Sequence, residues 1–280
     1  EVGSTPAFSC DAQSEIPTEE CEALVDLYNS TDGPNWTDNS NWLEALFPCE
    51  WFGVSCEAGH VYQINLQTNN LSGSIPTELG NLSSLVYLLL PNNQLSGSIP
   101  TELGSLSILG GLFLGNNQLS GSVPPELGNL NSLEYLILEN NQLSGSIPIE
   151  LGSLSNLEYL WLYNNQLSGN IPAQIANLTS LSYADFGYNM LSAVDPDLID
   201  FLNSIDPDWA ETQTVPPSDV QAVNITTSSI ELSWTPIAYT SDGGYYQVSF
   251  ATVPGGPYTI HGTTADKTAT GYNADDLSAD

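Results

Sequence analysis

The chain repeats one nine-residue stretch almost unchanged, and this repetition limits its possible folds more than any other feature. NNQLSGSIP begins at residue 92, and close copies begin at residues 116, 140 and 164, so the stretch recurs with a constant 24-residue period. Alignment by this period gives six units, each with the pattern L-x-x-L-x-L-x-x-N or a relative of it ahead of the turn segment. A unit this short cannot bury its own leucines, so we expect stacked units that share one continuous core. The turn segments are LSGSIP at 71, 95 and 143, LSGSVP at 119, LSGNIP at 167 and LSAVDP at 191.

The constant positions predict the geometry of each unit. The alternating L-x-L segment predicts a short strand with its leucines inward, and strands of successive units would pair in parallel about 4.8 Å apart. Five of the six turn segments contain a glycine, which suits a backbone conformation that other residues avoid. The asparagines that end the pattern would form a ladder and bond backbone groups at the turn, because buried polar groups need partners. The ladder consists of Asn69, Asn93, Asn117, Asn141, Asn165 and Asn189.

The charge balance excludes several classes of partner. The chain has 33 acidic residues, a single basic residue, Lys267, and a formal net charge of −32. Phosphate backbones and anionic lipids are bound through lysine and arginine, so nucleic acid is not an expected partner and neither is a membrane surface. The apolar runs are far shorter than a membrane span, so no membrane insertion is expected in this segment.

The cysteines and glycosylation sequons point to an oxidising compartment. Cys10, Cys21, Cys49 and Cys56 all lie in the first fifth of the chain and allow three disulfide pairings, with free buried thiols as the alternative. Together with N-x-S/T sequons, paired cysteines predict a secreted protein that is extracellular or at the cell surface. Possible N-glycosylation sites are Asn29, Asn35, Asn70, Asn81, Asn177 and Asn224.

Two motifs resemble those of one known family. The 24-residue period lies in the range of leucine-rich repeats, and the LSGxIP segment resembles the plant-type repeat of plant receptor ectodomains and polygalacturonase-inhibiting proteins. CEWFGVSC at 49–56 matches the cap motif C-x-W-x-G-V-x-C of that family, and residues 18–47 resemble the cap helix and loop of bacterial members. The resemblance implies a Cys49–Cys56 disulfide and, with it, Cys10–Cys21. It also implies a leucine-rich repeat solenoid with a cap over 1–60 and six repeats over 61–192, a parallel sheet on the concave face and an irregular or 3-10 convex side.

The repeat pattern decays after residue 190. Residues 193–214 predict a closing helix at Leu198–Ile205, a tryptophan plug at Trp209 and a proline-rich linker. Residues 215–280 alternate apolar and polar positions between turn signals, which predicts short strands of a β-sandwich. Trp234 and the Tyr246-x-Val248 pair resemble a fibronectin type III domain, and the whole arrangement resembles secreted bacterial proteins. About five of the seven strands of such a domain can be counted, so we expect either a continuation beyond residue 280 or strands donated by another chain.

The variable positions beside the inward leucines predict a binding surface. Neighbouring residues of a strand point to opposite faces, so these positions line the concave face. Their aromatic and aliphatic character, with only two charges, suits a protein or glycan ligand. The alternative is that the aromatic residues only stabilise adjacent strands. The predicted contact residues are Tyr87, Leu89, Phe113, Tyr135, Ile137, Tyr159, Trp161, Tyr163 and Tyr183, with Tyr159, Trp161 and Tyr163 as the densest part.

A column of glutamates runs along another face, at Glu78, Glu102, Glu126 and Glu150. We interpret it as a solvated surface; a ladder that binds Ca²⁺ is the alternative, although no dedicated calcium loop is present. His60 and His261 lie far apart without a nucleophile motif, and no phosphate loop or spaced metal ligands occur. We therefore expect no enzyme, no metal site and no other cofactor.

These observations together predict a non-catalytic extracellular recognition or adhesion protein with an aromatic concave face. The alternative is a structural subunit of a self-assembling extracellular filament or surface layer. Copies of the chain would then be its partners, joined by solenoid stacking or strand donation.

Overall fold

The computed structural model describes residues 8–44, 47–213, 218–226, 228–236, 246–250, 259–265 and 268–275. The chain divides into two compact units, Glu1–Gln213 and Thr214–Asp280. The first unit is a leucine-rich repeat solenoid with a helical cap, and the described strands of the second pair antiparallel. The proline-rich part of the predicted linker, Lys267 and the last five residues lie outside the described ranges.

The L-x-L segments form the first sheet, as predicted. Its strands are β1 (Val54–Glu57), β2 (His60–Asn65), β4 (Tyr87–Leu89), β6 (Gly111–Phe113), β8 (Tyr135–Ile137), β10 (Tyr159–Trp161) and β12 (Tyr183–Asp185). The strand β1 belongs to the cap and pairs antiparallel with β2, the strand of the first repeat, and each later strand joins the strand of the preceding unit in parallel. The period of the sequence is therefore the period of the sheet.

The turn segments form a second parallel sheet, which the sequence pattern did not predict. Most of its strands contain the invariant leucine and serine and end near the turn glycine, as at Gly97, whose φ of +78° explains the need for glycine. The strands are β3 (Ser72–Ser74), β5 (Gln94–Gly97), β7 (Gln118–Gly121), β9 (Gln142–Gly145), β11 (Gln166–Asn170) and β13 (Met190–Ser192).

Short 3-10 segments complete each coil and set how closely the coils stack. A Cβ added to Gly104 would collide with the backbone oxygen of Glu126 in the next unit, so only glycine permits this approach. The pattern leucines fill the space between the two sheets and the 3-10 segments, and nearly all are fully buried. The segments are Thr77–Asn81, Thr101–Ser105, Pro125–Asn129, Ile149–Ser153 and Ala173–Asn177.

The asparagine ladder links successive coils through their backbones. The Asn93 side-chain oxygen accepts hydrogen bonds from the Asn69 and Leu71 amides at 2.9 and 3.0 Å, and its amide donates to the Leu66 oxygen at 2.8 Å. Most of the later asparagines repeat this pattern, as at Asn117. The ladder therefore satisfies backbone groups that the strands leave unpaired, as predicted.

The N-terminal cap closes the solenoid with a helix, two disulfides and an aromatic cluster. The helix α1 (Thr18–Ser30) buries Cys21, Leu24 and Leu27, and short 3-10 turns lie at Cys10–Ala12, Gly33–Asn35 and Pro48–Glu50. The cysteines form Cys10–Cys21 and Cys49–Cys56, the pairs that the resemblance implied. Trp42 packs against two further tryptophans, Trp36 and Trp51, with ring centroids 4.9 Å away in both contacts.

The C-terminal end is closed by the helix α2 (Pro196–Ile205), which begins two residues before the predicted start. Asp195 caps it by accepting a hydrogen bond from the Leu198 amide at 3.0 Å. Trp209 is buried beyond the helix. Gln213 then occupies the ladder position: its side-chain oxygen accepts from the Leu191 amide at 2.8 Å and its amide donates to the Phe186 oxygen at 3.0 Å.

The described strands of the second unit are β14 (Ser218–Ile225), β15 (Ile230–Thr235), β16 (Gln247–Phe250), β17 (Thr259–Thr263) and β18 (Gly271–Ala274). They form two antiparallel groups, β14–β15–β18 and β16–β17. Trp234 is buried against Tyr246 in an edge-on contact at 5.3 Å and donates its indole N–H to the Ala269 oxygen at 2.7 Å.

Candidate binding face

The predicted contact residues lie in rows that cross the first sheet. The rows follow the 24-residue period because paired strands stay in register from one unit to the next. One row runs Tyr87, Gly111, Tyr135, Tyr159, Tyr183, and the next runs Leu89, Phe113, Ile137, Trp161, Asp185.

Four rings form a continuous stack, here called the aromatic row: Phe113, Tyr135, Tyr159 and Tyr183. Successive ring centroids are 5.8, 4.9 and 4.9 Å apart and the planes are within 25° of parallel. Phe113 belongs to the second row, but its ring leans over Gly111, where a Cβ would lie 2.5 Å from the Phe113 Cε2. A glycine in the first row thus lets a phenylalanine from the second extend the stack.

The predicted contact residues differ in the exposed fraction of their side chains. Tyr183 is 57% exposed and Trp161 is 37% exposed, whereas Ile137 is buried beneath its neighbours. Leu89 is half-buried, and Tyr87 packs edge-on against Tyr62 with centroids 6.0 Å apart. The accessible aromatic surface is therefore concentrated on β10 and β12.

A third row, two residues beyond the second, contains a buried carboxylate. Glu139 is 5% exposed, and its Oε1 accepts a hydrogen bond from the Asn116 amide group at 3.1 Å. Its carboxylate lies over Gly115, where an added Cβ would collide with it. The second oxygen, Oε2, is buried and has no hydrogen-bond partner among the described residues. Burial raises the pKa of Glu139 above its ordinary value.

Tyr163 lies next to Glu139 in the same row and is affected by two acids. Burial raises the pKa of its hydroxyl, and the negative charges of Glu139 and Asp185 raise it further. The Tyr163 ring is 6.3 Å from that of Trp161, at 55° to it. Asp185 is the register partner of Trp161 on β12, and burial raises the pKa of this carboxyl too. The two exposed or half-exposed rings thus lie between two carboxyl groups.

Sequence reasoning identified the aromatic residues but missed the acids beside them. Glu139 and Asp185 were recognised only as the two charges of the face. The one available signal for Glu139 was Gly115, at the same position of the preceding repeat, which leaves room beside it for a larger side chain. No pattern in the sequence indicated that one carboxylate oxygen would be buried without a partner.

The other predicted sites are the glutamate column and the glycosylation sequons, and their side chains are exposed or half-buried. Glu78, Glu102 and Glu150 are exposed and Glu126 is half-buried. Within the described part of the chain, no three His, Cys, Asp or Glu side chains are grouped so that they could hold a metal ion. All six sequon asparagines, Asn29, Asn35, Asn70, Asn81, Asn177 and Asn224, are exposed.

The two histidines make structural contacts in different units. The Nδ1 atom of His60 is 2.7 Å from the Oε1 atom of Glu20, so this surface histidine pairs with the cap. His261 contacts the Tyr272 hydroxyl at 3.0 Å and the Asp275 backbone oxygen at 2.7 Å. In the described ranges, no helix combines the length and apolar character that crossing a membrane requires.

Comparison with protein families identifies the repeats. The Leucine Rich Repeat model matches residues 60–82, 84–106 and 109–130, and the model for Leucine Rich repeats (2 copies) matches 132–183. In Arabidopsis thaliana, the leucine-rich repeat receptor protein kinase EMS1 is 36% identical over 84 residues. That match covers 30% of this chain and 7% of EMS1, so the chain corresponds to a small part of that protein.

Solved structures show the same solenoid fold over about two thirds of the chain. The ectodomain of the Arabidopsis thaliana receptor kinase SOBIR1 is 32% identical with a TM-score of 0.57, and the match covers 65% of this chain and 98% of that one. The Arabidopsis receptor kinase HAESA, solved with the peptide hormone IDA and the co-receptor SERK1, is 34% identical with a TM-score of 0.60. That match covers 67% of this chain and 32% of HAESA.

Proposed function

The chain belongs to the leucine-rich repeat proteins and has the fold of plant receptor ectodomains, and from this premise we propose that it is an extracellular recognition protein whose concave face binds a protein segment or a glycan. The family models that match the chain describe leucine-rich repeats and name no enzyme. The ligand would lie across β8, β10 and β12, in contact with Trp161 and the aromatic row.

The observation that carries this proposal is the exposed aromatic surface of β10 and β12. Contiguous apolar patches that remain exposed at a protein surface mark interaction sites, and tyrosine and tryptophan are favoured contact residues. Stacking alone would explain the aromatic row, since cross-strand pairs stabilise sheets. It does not account for Trp161, whose register partners are Ile137 and Asp185 and which has no parallel ring above or below it.

An array of extended peptides and oligosaccharides tests the proposal. We expect the wild-type chain to select a subset of probes, and Trp161→Ala to lower affinity for them by about tenfold or more, as for a central contact residue. Ile149→Ala is the matched control, because Ile149 is also accessible but lies on a 3-10 segment outside the first sheet. Equal binding by wild type and Trp161→Ala would contradict the proposal.

The filament alternative has one feature in its favour and one against it. The strand β14 lies at the edge of its described sheet, where strand addition takes place, and it exposes Val220, Val223 and Ile225. Both ends of the solenoid, however, are closed: Asn69 bonds the Asp38 backbone at 2.7 and 2.8 Å, and Gln213 completes the ladder at the other end. Closed ends favour recognition over end-to-end stacking.

Size-exclusion chromatography with light scattering separates the two functions. A recognition protein should elute with the mass of one chain. A filament subunit should elute as a large species that dissociates when residues 218–280 are deleted.

We further propose that the second unit, Thr214–Asp280, is a fibronectin type III-like domain. Its buried Trp234 and Tyr246 pair supports this assignment. We also propose domain boundaries at 1–60, 61–192, 193–214 and 215–280, and glycan attachment at the six exposed sequons. Mass spectrometry of the secreted chain before and after glycosidase treatment would test the glycan sites.

A further inference from the structure

We propose that the concave face holds a cationic group of its ligand, a lysine or arginine side chain or a free amino terminus, against Trp161 and Tyr163 and beside Glu139 and Asp185. This inference rests on the proposed recognition function and specifies the chemistry of its ligand. The site consists of these four side chains, here called the acidic–aromatic site.

The buried carboxylate of Glu139 is the first observation that favours a cationic ligand group. A carboxylate in a nearly dry position needs hydrogen bonds or an opposite charge to remain ionised. Asn116 supplies one bond to Oε1, and Oε2 has none within the described structure. A positive charge held beside this carboxylate would offset the cost of keeping it ionised where it is buried.

The arrangement of the Trp161 and Tyr163 rings is the second observation that favours a cationic ligand group. A cation near the face of a tryptophan or tyrosine ring is attracted by the ring quadrupole, more strongly where water is excluded. Trp161 and Tyr163 are 6.3 Å apart and inclined at 55°, so they present two surfaces set at an angle rather than a flat stack. The aromatic row, whose planes are nearly parallel, lacks this arrangement.

Charge around the face is the third reason. The carboxylates of Glu134 and Glu158 raise the pKa of Tyr135 in addition to the effect of desolvation, so acids act on the aromatic row from the strand ends opposite to Glu139. The sequence contains one basic residue among 280, and the net charge of −32 gives a field that attracts cations to the whole surface. An anionic ligand would meet no lysine or arginine in the first unit, because Lys267 lies in the second.

The test uses a small probe, so that the general attraction of a polyanion does not dominate. Nα-acetyl-L-lysine methylamide carries the cation, and the norleucine analogue has the same carbon chain without charge. The indole N–H signal of Trp161, assigned with Trp161→Phe, reports binding in NMR titrations of the intact chain. We expect the lysine probe to shift this signal and the norleucine probe to leave it unchanged.

Two acid-to-amide variants measure how much each carboxylate contributes to binding of the lysine probe. Glu139→Gln keeps the shape and an acceptor for the Asn116 amide, and should weaken binding of the lysine probe about tenfold, the order expected when a nearby opposite charge is removed. Asp185→Asn keeps the bond from the Gly187 amide at 2.9 Å and should weaken binding severalfold. Glu102→Gln, an exposed acid on a 3-10 segment, is the matched control and should change affinity less than twofold.

The outcomes separate this inference from the function on which it rests. Equal shifts by both probes would overturn the cationic site and leave an apolar recognition face. Equal weakening by Glu139→Gln and Glu102→Gln would overturn it in favour of unspecific attraction. No shift by the lysine probe, in a chain that still selects neutral peptides or glycans through Trp161, would also overturn it and leave the recognition function standing.

Discussion

Each end of the solenoid contains a buried carboxyl group, but the electrostatic surroundings of the two groups differ. At the N-terminal end the buried Glu20 has two partners, the Val61 amide and the Nδ1 atom of His60, each at 2.7 Å. At the C-terminal end the carboxyl group of the buried Asp206 accepts a hydrogen bond from the Phe186 amide at 2.8 Å and faces two more acids, Asp185 and Asp208. At the N-terminal end the buried carboxylate therefore has hydrogen-bond partners, and a disulfide holds the cap together. At the C-terminal end burial disfavours the charged form of the carboxyl group.

The difference shows in the ionisation of Asp206. Burial raises its pKa to about 7, against the lowering effect of the Phe186 hydrogen bond, and the charges of Asp185 and Asp208 raise it further. A repeat protein contacts only its neighbours along the stack, so each end should open on its own. Perturbations of the two ends should therefore be separable by amide hydrogen exchange.

The largest expected effect is loss of the covalent brace at the N-terminal end. Replacing Cys10 and Cys21 by alanine removes a disulfide that spans 11 residues, which the chain-entropy model values at about 3 kcal/mol. Amide exchange should accelerate in α1 and β2 and stay unchanged in α2. Uniform acceleration of exchange over the whole solenoid would show that the two ends open together, and would contradict the expectation that each end opens on its own.

The second effect concerns pH at the C-terminal end. Because the folded-state pKa of Asp206 lies above its unfolded value, the folded chain binds more protons, and stability falls as the pH rises from about 4 to about 7. Asp206→Asn keeps an acceptor for the Phe186 amide but does not titrate. The variant should match wild type near pH 4 and exceed it by about 2 kcal/mol at pH 8, below the ceiling of about 4 kcal/mol that the full shift would give.

Exchange of the Phe186 and Leu191 amides at pH 5 and pH 8 would measure this, corrected for the intrinsic pH dependence of exchange. Asp197→Asn is a suitable control, because this aspartate lies in the first turn of α2, outside the buried acid group. If the wild-type chain and Asp206→Asn show the same pH dependence, Asp206 does not ionise in this range and the proposed contrast is wrong.

Some of these features could be predicted from the sequence because they recur with its period. The ladder asparagines, the strand register and the rows of the concave face all follow from alignment of the repeats. Even Gln213 obeys this rule, since it stands one full period after Asn189 and takes its place in the ladder with a longer amide side chain. It was missed because the decayed turn segment at 191 indicated that the repeats had ended.

Other features depend on one side chain meeting a partner that no period relates to it. Glu20 reaches His60 and Val61 across about 40 residues of chain, and Asp206 turns back to the amide of Phe186. The lean of Phe113 over Gly111 needs knowledge of a rotamer as well as of a register. The second sheet was also missed, because so short a turn sequence gives no alternation to detect.

The smallest expected effect applies the same change, acid to amide, at the compensated end. Glu20→Gln should keep an acceptor for the Val61 amide but weaken the pair with His60, which is partly exposed, so we expect a loss of about 1 kcal/mol. The sign is opposite to that of Asp206→Asn at pH 8, because Glu20 has hydrogen-bond partners that use its charge and Asp206 is surrounded by other acids. Exchange of the Val61 amide in the variant, with the exposed Glu22→Gln change on the same helix as its control, would measure the loss. Stabilisation by Glu20→Gln would mean that burial penalises both carboxyl groups alike, and the electrostatic contrast between the two ends would then have no basis.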